Sequence, residues 1–162
     1  MIRPAAPKEF PALLDVQIAC IRDLTTTYTQ EEINSWVGYL EKEGAGRYAA
    51  FNNHVFVDET DHIAGFVSWS EKPQERTAAI ECLYTLKEQQ GKGIGKLLLQ
   101  TAEASLPEST AVYVRSTLNA RPFYEKQGYH YIENTTSRAG FKVALLEKNH
   151  ATRYQRTTAN VN

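Results

Sequence analysis

The chain has 162 residues, a formal net charge of −1 and 23% charged residues, so it lacks the basic excess that would argue for nucleic acid as its main partner. No run approaches the roughly eighteen apolar residues of a membrane span, and the opening MIRPAAPKEF lacks the apolar segment of a signal peptide. A cytoplasmic protein acting on small molecules or peptides is expected, with one domain over residues 1–149 and a polar, mobile tail over 150–162.

Ile2-Arg3 opens a short strand. Leu14, Ile18 and Ile21 then recur at helical spacing, which gives a first helix over about 7–24. Thr29-Gln30-Glu31-Glu32 has the spacing of a capping box, and Ile33, Trp36, Val37 and Leu40 carry a second helix to Gly44. Residues 47–70 are rich in β-branched and aromatic side chains. Asn52-Asn53 and Asp58-Glu59-Thr60-Asp61 interrupt them and read as turns of an antiparallel meander. The segment AAIECLYTL, residues 78–86, is so nearly apolar that it reads as a strand buried on both faces. It runs into QGKGIGK, residues 90–96, after which Ile94, Leu97, Leu98 and Ala102 mark a helix that must stop near Pro107. Residues 111–115 form the next strand, and strand–helix–strand implies a parallel pair with a crossover. A short helix over about 118–127 ends at Gly128, and 129–133 and 141–147 are closing strands. Cys20 and Cys82 are too few for a zinc set or a disulfide framework, so both read as reduced small hydrophobes.

Glycines at 91, 93 and 95, at the start of a helix, suggest backbone amides aimed at an anion. A Walker A loop would need glycine where Gln90 stands and a hydroxyl where Leu97 stands. The dinucleotide fingerprint begun at Gly91 would need glycine at Lys96. A turn without any ligand is the plain alternative. The spacing that fits is Gln-x-x-Gly-x-Gly, carried by Gln90, Gly93 and Gly95. It resembles the acetyl-CoA motif of the GCN5-related N-acetyltransferases (GNAT). Ala120-x-x-Phe123-Tyr124-Glu125-Lys126-x-Gly128-Tyr129 resembles a second family segment, in the family's order, and the likeness extends over almost the whole chain.

The resemblance implies an α/β (α+β) fold: a central mixed, mostly antiparallel sheet, flanked by helices, whose one parallel strand pair splays around acetyl-CoA. It places the coenzyme's pyrophosphate on the amides of Gly91, Lys92, Gly93, Ile94, Gly95 and Lys96, with Gln90 opening the loop. The main chain of Leu83, Tyr84 and Thr85 would hold the pantetheine arm, and Tyr124 would be the general acid toward the leaving thiolate. The family's pantetheine-binding asparagine is replaced by Thr117, with Asn119 two residues on; Thr117 either binds the arm or caps the next helix. The family's strand glutamate is missing at Ala79. Glu81, on the same face by alternation, either relays the acceptor's proton through a water or pairs with a neighbouring cation. Of the aromatics near the implied acceptor pocket, Trp36 belongs to an apolar stripe and Tyr28 is the candidate to meet substrate. His54, His62, His130 and His150 lack metal-ligand spacing, and no metal is expected.

The implied reaction is direct transfer of acetyl from acetyl-CoA to a primary amine in a ternary complex, between the strands at 78–86 and 111–115. The acceptor could be a small amine, an antibiotic-like molecule, a peptide N-terminus or a lysine. The departures at Ala79 and Thr117 leave a rival open: a non-catalytic acetyl-CoA sensor or interaction module on the same fold. Members of the family often form homodimers, and no exposed apolar run here marks an interface.

Overall fold

The computed structural model describes residues 1–149, and the tail expected at 150–162 lies outside the described residues. Seven strands run β1 (Ile2–Pro4), β2 (Asn52–Val57), β3 (Ile63–Lys72), β4 (Thr77–Thr85), β5 (Ala111–Ser116), β6 (His130–Thr136) and β7 (Lys142–Lys148). They form one sheet in the order β1-β2-β3-β4-β5-β7-β6. Every neighbouring pair is antiparallel except β4 and β5, which are parallel as the strand–helix–strand order requires. The helices are α1 (Phe10–Arg22), α2 (Gln30–Glu43), α3 (Ile94–Ala104) and α4 (Arg121–Lys126).

The capping box of α2 forms in both directions. Glu32 N–H donates to Thr29 Oγ1 at 3.1 Å and Thr29 N–H donates to Glu32 Oε1 at 3.0 Å. A helix of the length of α3, 11 residues, would be marginal in water, so packing must hold it. Leu98 and Leu99 are both 0% exposed in a core with Val67, Trp69, Ile80, Val112 and Leu146. Each such leucine contributes about 1.5–3 kcal/mol by burial. A second core, under α1, gathers Leu13, Val16, Tyr48, Val55, Phe66 and Cys82. A third, under α2, gathers Ile33, Trp36, Leu40, Phe141 and Val143.

Several expectations need correction. The first helix is a 3₁₀ turn, Pro7–Glu9, followed by α1, and the helix expected at 118–127 is likewise a turn, Leu118–Ala120, followed by α4. Asn52-Asn53 is not a turn but the start of β2, because the preceding 3₁₀ turn Ala45–Ala50 leaves carbonyls that Asn53 satisfies. The Asn53 amide donates to the carbonyls of Tyr48 and Phe51, both at 2.9 Å, while its oxygen accepts from Ser68 Oγ. The Asp58 turn forms as read, with Asp58 Oδ1 accepting from the amides of Thr60 and His62. β4 is not buried on both faces: Ala78, Ile80 and Cys82 are buried, whereas Glu81 is exposed.

The exposure of Glu81 follows from a bulge. Ser68 pairs with Cys82 but Trp69 pairs with Ile80, so Glu81 has no residue opposite it. The extra residue reverses the alternation. Ile80 packs toward α3, whereas Cys82 and Tyr84 pack toward α1.

At the N-terminus, the Arg3 guanidinium donates to both oxygens of Glu9, at 2.7 and 3.0 Å, and the Ala6 amide adds a third bond. The Arg3 bonds, then that of Ala6, lower the Glu9 carboxyl from 4.5 to about 2. Its folded value lies below the unfolded one, so its support is complete above about pH 4.5 and fades toward pH 2. Glu9→Gln should therefore lower the Tm slightly at neutral pH. The gap to the parent, followed by thermal melts, should close as the pH falls through that window.

Candidate active site

The parallel pairing of β4 and β5 runs from Thr77↔Ala111 to Ile80↔Val114 and stops. Beyond it β4 stays with β3 as far as Thr85, and β5 stays with β7 as far as Ser116, so the two strands part in a wedge. The edge that β4 presents there is set by alternation. Leu86 N–H donates to Ala64 O at 2.9 Å, so the amides of Tyr84 and Cys82 also point to β3 and the N–H and C=O of Leu83 point into the wedge. Thr85 C=O follows the same direction, accepting from Gln90 Nε2 at 2.9 Å and Cys20 Sγ at 3.4 Å. Gln90 thereby pins the glycine loop to the end of β4.

In that loop Gly91 and Gly93 have φ of +81° and +78°, and Gly93 is the N-cap of α3. A Cβ at either would meet nothing within 4 Å, so backbone angle rather than space requires glycine there. Gly95 has ordinary φ and lies where a Cβ would touch Phe123 and Thr85 at 3.8 Å. The amides of Gly91, Lys92, Gly93, Ile94, Gly95 and Lys96 have no acceptor among the described residues; the first amide bonded again is Leu97 N–H, to Gly93 O at 3.1 Å. Lys96 is exposed, and the exposed Lys92 donates to Gln89 Oε1 at 2.9 Å. The loop can thus offer a row of free amides at a positive helix end to an anion such as a pyrophosphate. Gly93→Ala should cost about 1–2 kcal/mol, the penalty for a left-handed L-residue, and weaken binding of coenzyme A; thermal melts with and without it would read both.

The wedge opens on a cavity of about 500 Å³. β4 lines it with Ile80 to Tyr84, β5 and the following turn with Val114 to Thr117, and α4 with Tyr124. Tyr124 is 5% exposed, with its ring edge-on to Phe123 at 5.1 Å and to Tyr129 at 5.5 Å. Burial, and to a lesser degree Cys82, raises its phenol above the ordinary value of 10. Glu81 accepts a bond from Ser70 Oγ at 2.7 Å, and Ser70 pairs with Ala79, so the carboxylate does share the face of Ala79. It is solvent-exposed rather than enclosed by the neighbouring apolar residues. Thr117 lines the cavity and makes no side-chain cap bond to the turn it precedes. Asn119 is exposed and does not line the cavity.

Tyr28 is not at the cavity wall either. It is 5% exposed, its hydroxyl donates to Lys142 O at 2.6 Å and accepts from Leu118 N–H at 3.1 Å, and its ring is edge-on to Phe141 at 5.4 Å. It ties the start of α2 to β7 and to the turn before α4. Trp36 and Tyr39 of α2 face the cavity instead. The cavity also receives Gln17 and Arg47, which sequence reasoning did not single out. Gln17 had a signal: it interrupts the apolar stripe Leu13, Gln17, Ile21 of α1 and is 3% exposed. Its Oε1 accepts from Tyr48 Oη at 2.5 Å and Arg47 Nη1 at 3.2 Å, and its Nε2 donates to Tyr84 Oη at 3.5 Å.

Burial pushes the thiol of Cys20 up to about 12 and that of Cys82 up to about 11, which leaves both protonated and poorly nucleophilic. Among the described residues no three His, Cys, Asp or Glu side chains could together hold a metal. No helix among them is long and apolar enough to cross a membrane.

Solved structures share this fold. A GCN5-related N-acetyltransferase from Rhodopseudomonas palustris matches with a TM-score of 0.80 at 21% identity, over 92% of this chain and 94% of that one. The paia N-acetyltransferase from Thermoplasma acidophilum, solved in complex with coenzyme A, matches with a TM-score of 0.70 at 21% identity, over 92% and 98%. Apo YjaB from Escherichia coli matches with a TM-score of 0.65 at 19% identity, over 93% and 96%. No curated protein matches the chain. The family model described as an acetyltransferase (GNAT) domain matches residues 24–149. With the splayed parallel pair and the glycine loop in place, the chain belongs to the GNAT acetyltransferase family.

Proposed function

We propose that the protein transfers the acetyl group of acetyl-CoA directly to a primary amine, with residues 1–149 as its catalytic domain. The observation that carries the reading is the continuity of the site. Free amides at 91–96 lead along the end of β4 to the unpaired edge at Leu83 and from there to the phenol of Tyr124. The loop amides hold the pyrophosphate, and the main chain of Leu83 to Thr85 takes the pantetheine arm as an added strand. Leu83 N–H, aimed into the wedge, donates to the thioester oxygen as it becomes an oxyanion.

An alkylammonium has a pKa near 10 and must lose a proton before it can attack. Glu81, held by Ser70 Oγ and open to solvent, takes that proton through a water. The amine nitrogen then bonds to the acetyl carbon, sheds a second proton to solvent, and the carbon–sulfur bond breaks. Tyr124 donates its proton to the departing thiolate and regains one from solvent. A free thiol near 8.5 is more acidic than a phenol near 10, yet the burial that raises the phenol also disfavours the thiolate, so the transfer is not strongly uphill. The net change is one ammonium and one thioester to one amide, one thiol and one released proton. The raised thiols of Cys82 and Cys20 favour this direct route over an acetyl-enzyme.

The test is thiol release from acetyl-CoA with pooled amino acids, polyamines and short peptides. Acceleration by one pool supports transfer. If coenzyme A raises the Tm while no pool is acetylated, the protein is a binder, a sensor or interaction module.

A further inference from the structure

We propose that the acceptor amine also carries an oxyanion, a carboxylate or phosphonate, and that Arg47 binds it. The inference rests on the acetyl-transfer reading and names the class of its substrate. Arg47 lies in the 3₁₀ turn after α2 and is half-buried in the cavity wall. Its Nη1 donates to Gln17 Oε1 at 3.2 Å and lies 3.9 Å from Cys82 Sγ, while the rings of Tyr48 and Phe51 flank the guanidinium at 5.3 and 5.8 Å. Among the described residues no carboxylate comes within 4.0 Å of it, and its Nη2 and Nε donate to no protein atom. A planar fork of five donors, half-buried and held through Nη1 by the Gln17 amide oxygen and the Cys82 sulfur with the Tyr48 hydroxyl beside it, keeps donors for an oxyanion that accepts two bonds side by side.

Its position suits the chemistry. Cys82, which it touches, stands between Glu81 and Leu83. A small molecule anchored on Arg47 therefore brings its amine to the carboxylate and to the wedge edge together. Charge around the cavity points the same way. Arg115 and Arg138 also line it; among the described residues neither has a carboxylate within 4.0 Å, and Glu81 is the one acidic side chain of the lining. Such a wall repels a polyamine, whose extra cations would find no partner. It attracts a zwitterion, ammonium toward Glu81 and oxyanion toward Arg47. A cavity of about 500 Å³ admits a molecule of amino-acid size.

The experiment measures thiol release from acetyl-CoA with L-amino acids, aminoalkylphosphonates, the matching amino-acid amides and spermidine, for the parent, Arg47→Met and Arg47→Lys. A Tm shift by each amine in the presence of coenzyme A is recorded alongside. Acids should exceed their amides in kcat/KM by about ten- to a hundredfold, the worth of a charge-assisted pair. That preference should collapse through KM in Arg47→Met and be partly kept in Arg47→Lys. Amides or spermidine equal to the acids, or a preference untouched by both variants, would overturn the proposal. Should Arg47→Met fail to fold, Arg47→Lys decides, because a purely packing arginine would leave the ratio unchanged. If no amine is acetylated, acetyl transfer fails as a reading; an acid that still raises the Tm of the parent but not of the Arg47 variants would keep the oxyanion site, and no such shift would remove it.

Discussion

Tyr124→Phe should lower kcat about 10²- to 10³-fold while leaving the dissociation constant for coenzyme A within about twofold. The substitution removes one oxygen and keeps the ring that packs edge-on against Phe123 and Tyr129, so the Tm should stay close to that of the parent. Among the described residues the Tyr124 hydroxyl has no protein hydrogen-bond partner, so its loss leaves no protein group unsatisfied. Thiol-release kinetics at saturating acceptor isolate the chemical step; a kcat unchanged within twofold would remove Tyr124 from the role of acid. Because burial raises the phenol above 10, its proton is retained through the alkaline range in which the amine loses its own. The rise of kcat/KM with pH should therefore show no descending limb from Tyr124 below pH 10.

Lys148→Met should destabilise the fold by about 3–5 kcal/mol, the usual effect of removing one partner of a buried ion pair. Lys148 Nζ meets Glu103 Oε2 at 2.6 Å, with side-chain exposures of 3% and 10%, and the ammonium also lies 5.4 Å from the ring centre of Tyr129. The pair fastens α3 to β7, across the two strands that part to form the wedge. For a chain of this size the loss should appear as a Tm lower by about 10 °C or more. Lys148→Met combined with Glu103→Leu should recover much of it, since an apolar pair needs no compensating charge. A single variant as stable as the parent would show that water or other groups replace the ammonium.

The sequence made the main-chain half of the site legible because backbone angles leave their mark as glycines at fixed spacing. Gly91 and Gly93 take positive φ, and Gln90 is tied to Thr85, so the spacing reflects real geometric demands. α2 was equally readable, because its capping box is a local exchange of two bonds. β4 was misread at one point, where an apolar composition conceals a bulge that turns Glu81 outward. Asn52-Asn53 looked like a turn because asparagine satisfies stray carbonyls in turns and at strand ends alike. The wall of the cavity that carries the arginines was the hardest to foresee. Arg47, Arg115 and Arg138 come from three separate elements, with no periodicity linking them. Tyr28, in a threonine-rich turn, read as the candidate to meet substrate, yet two backbone groups hold its hydroxyl inside.

The division of labour within the wedge bears on how such a protein can diverge. On the reading above, the donor is held by amides of 91–96 and by the strand edge at Leu83, atoms that every residue type but proline supplies. The acceptor is met by side chains standing on α1, α2 and the turn carrying Arg47, which can be exchanged one at a time. Selection could thus retune what is acetylated through single codon changes while inheriting an intact donor site.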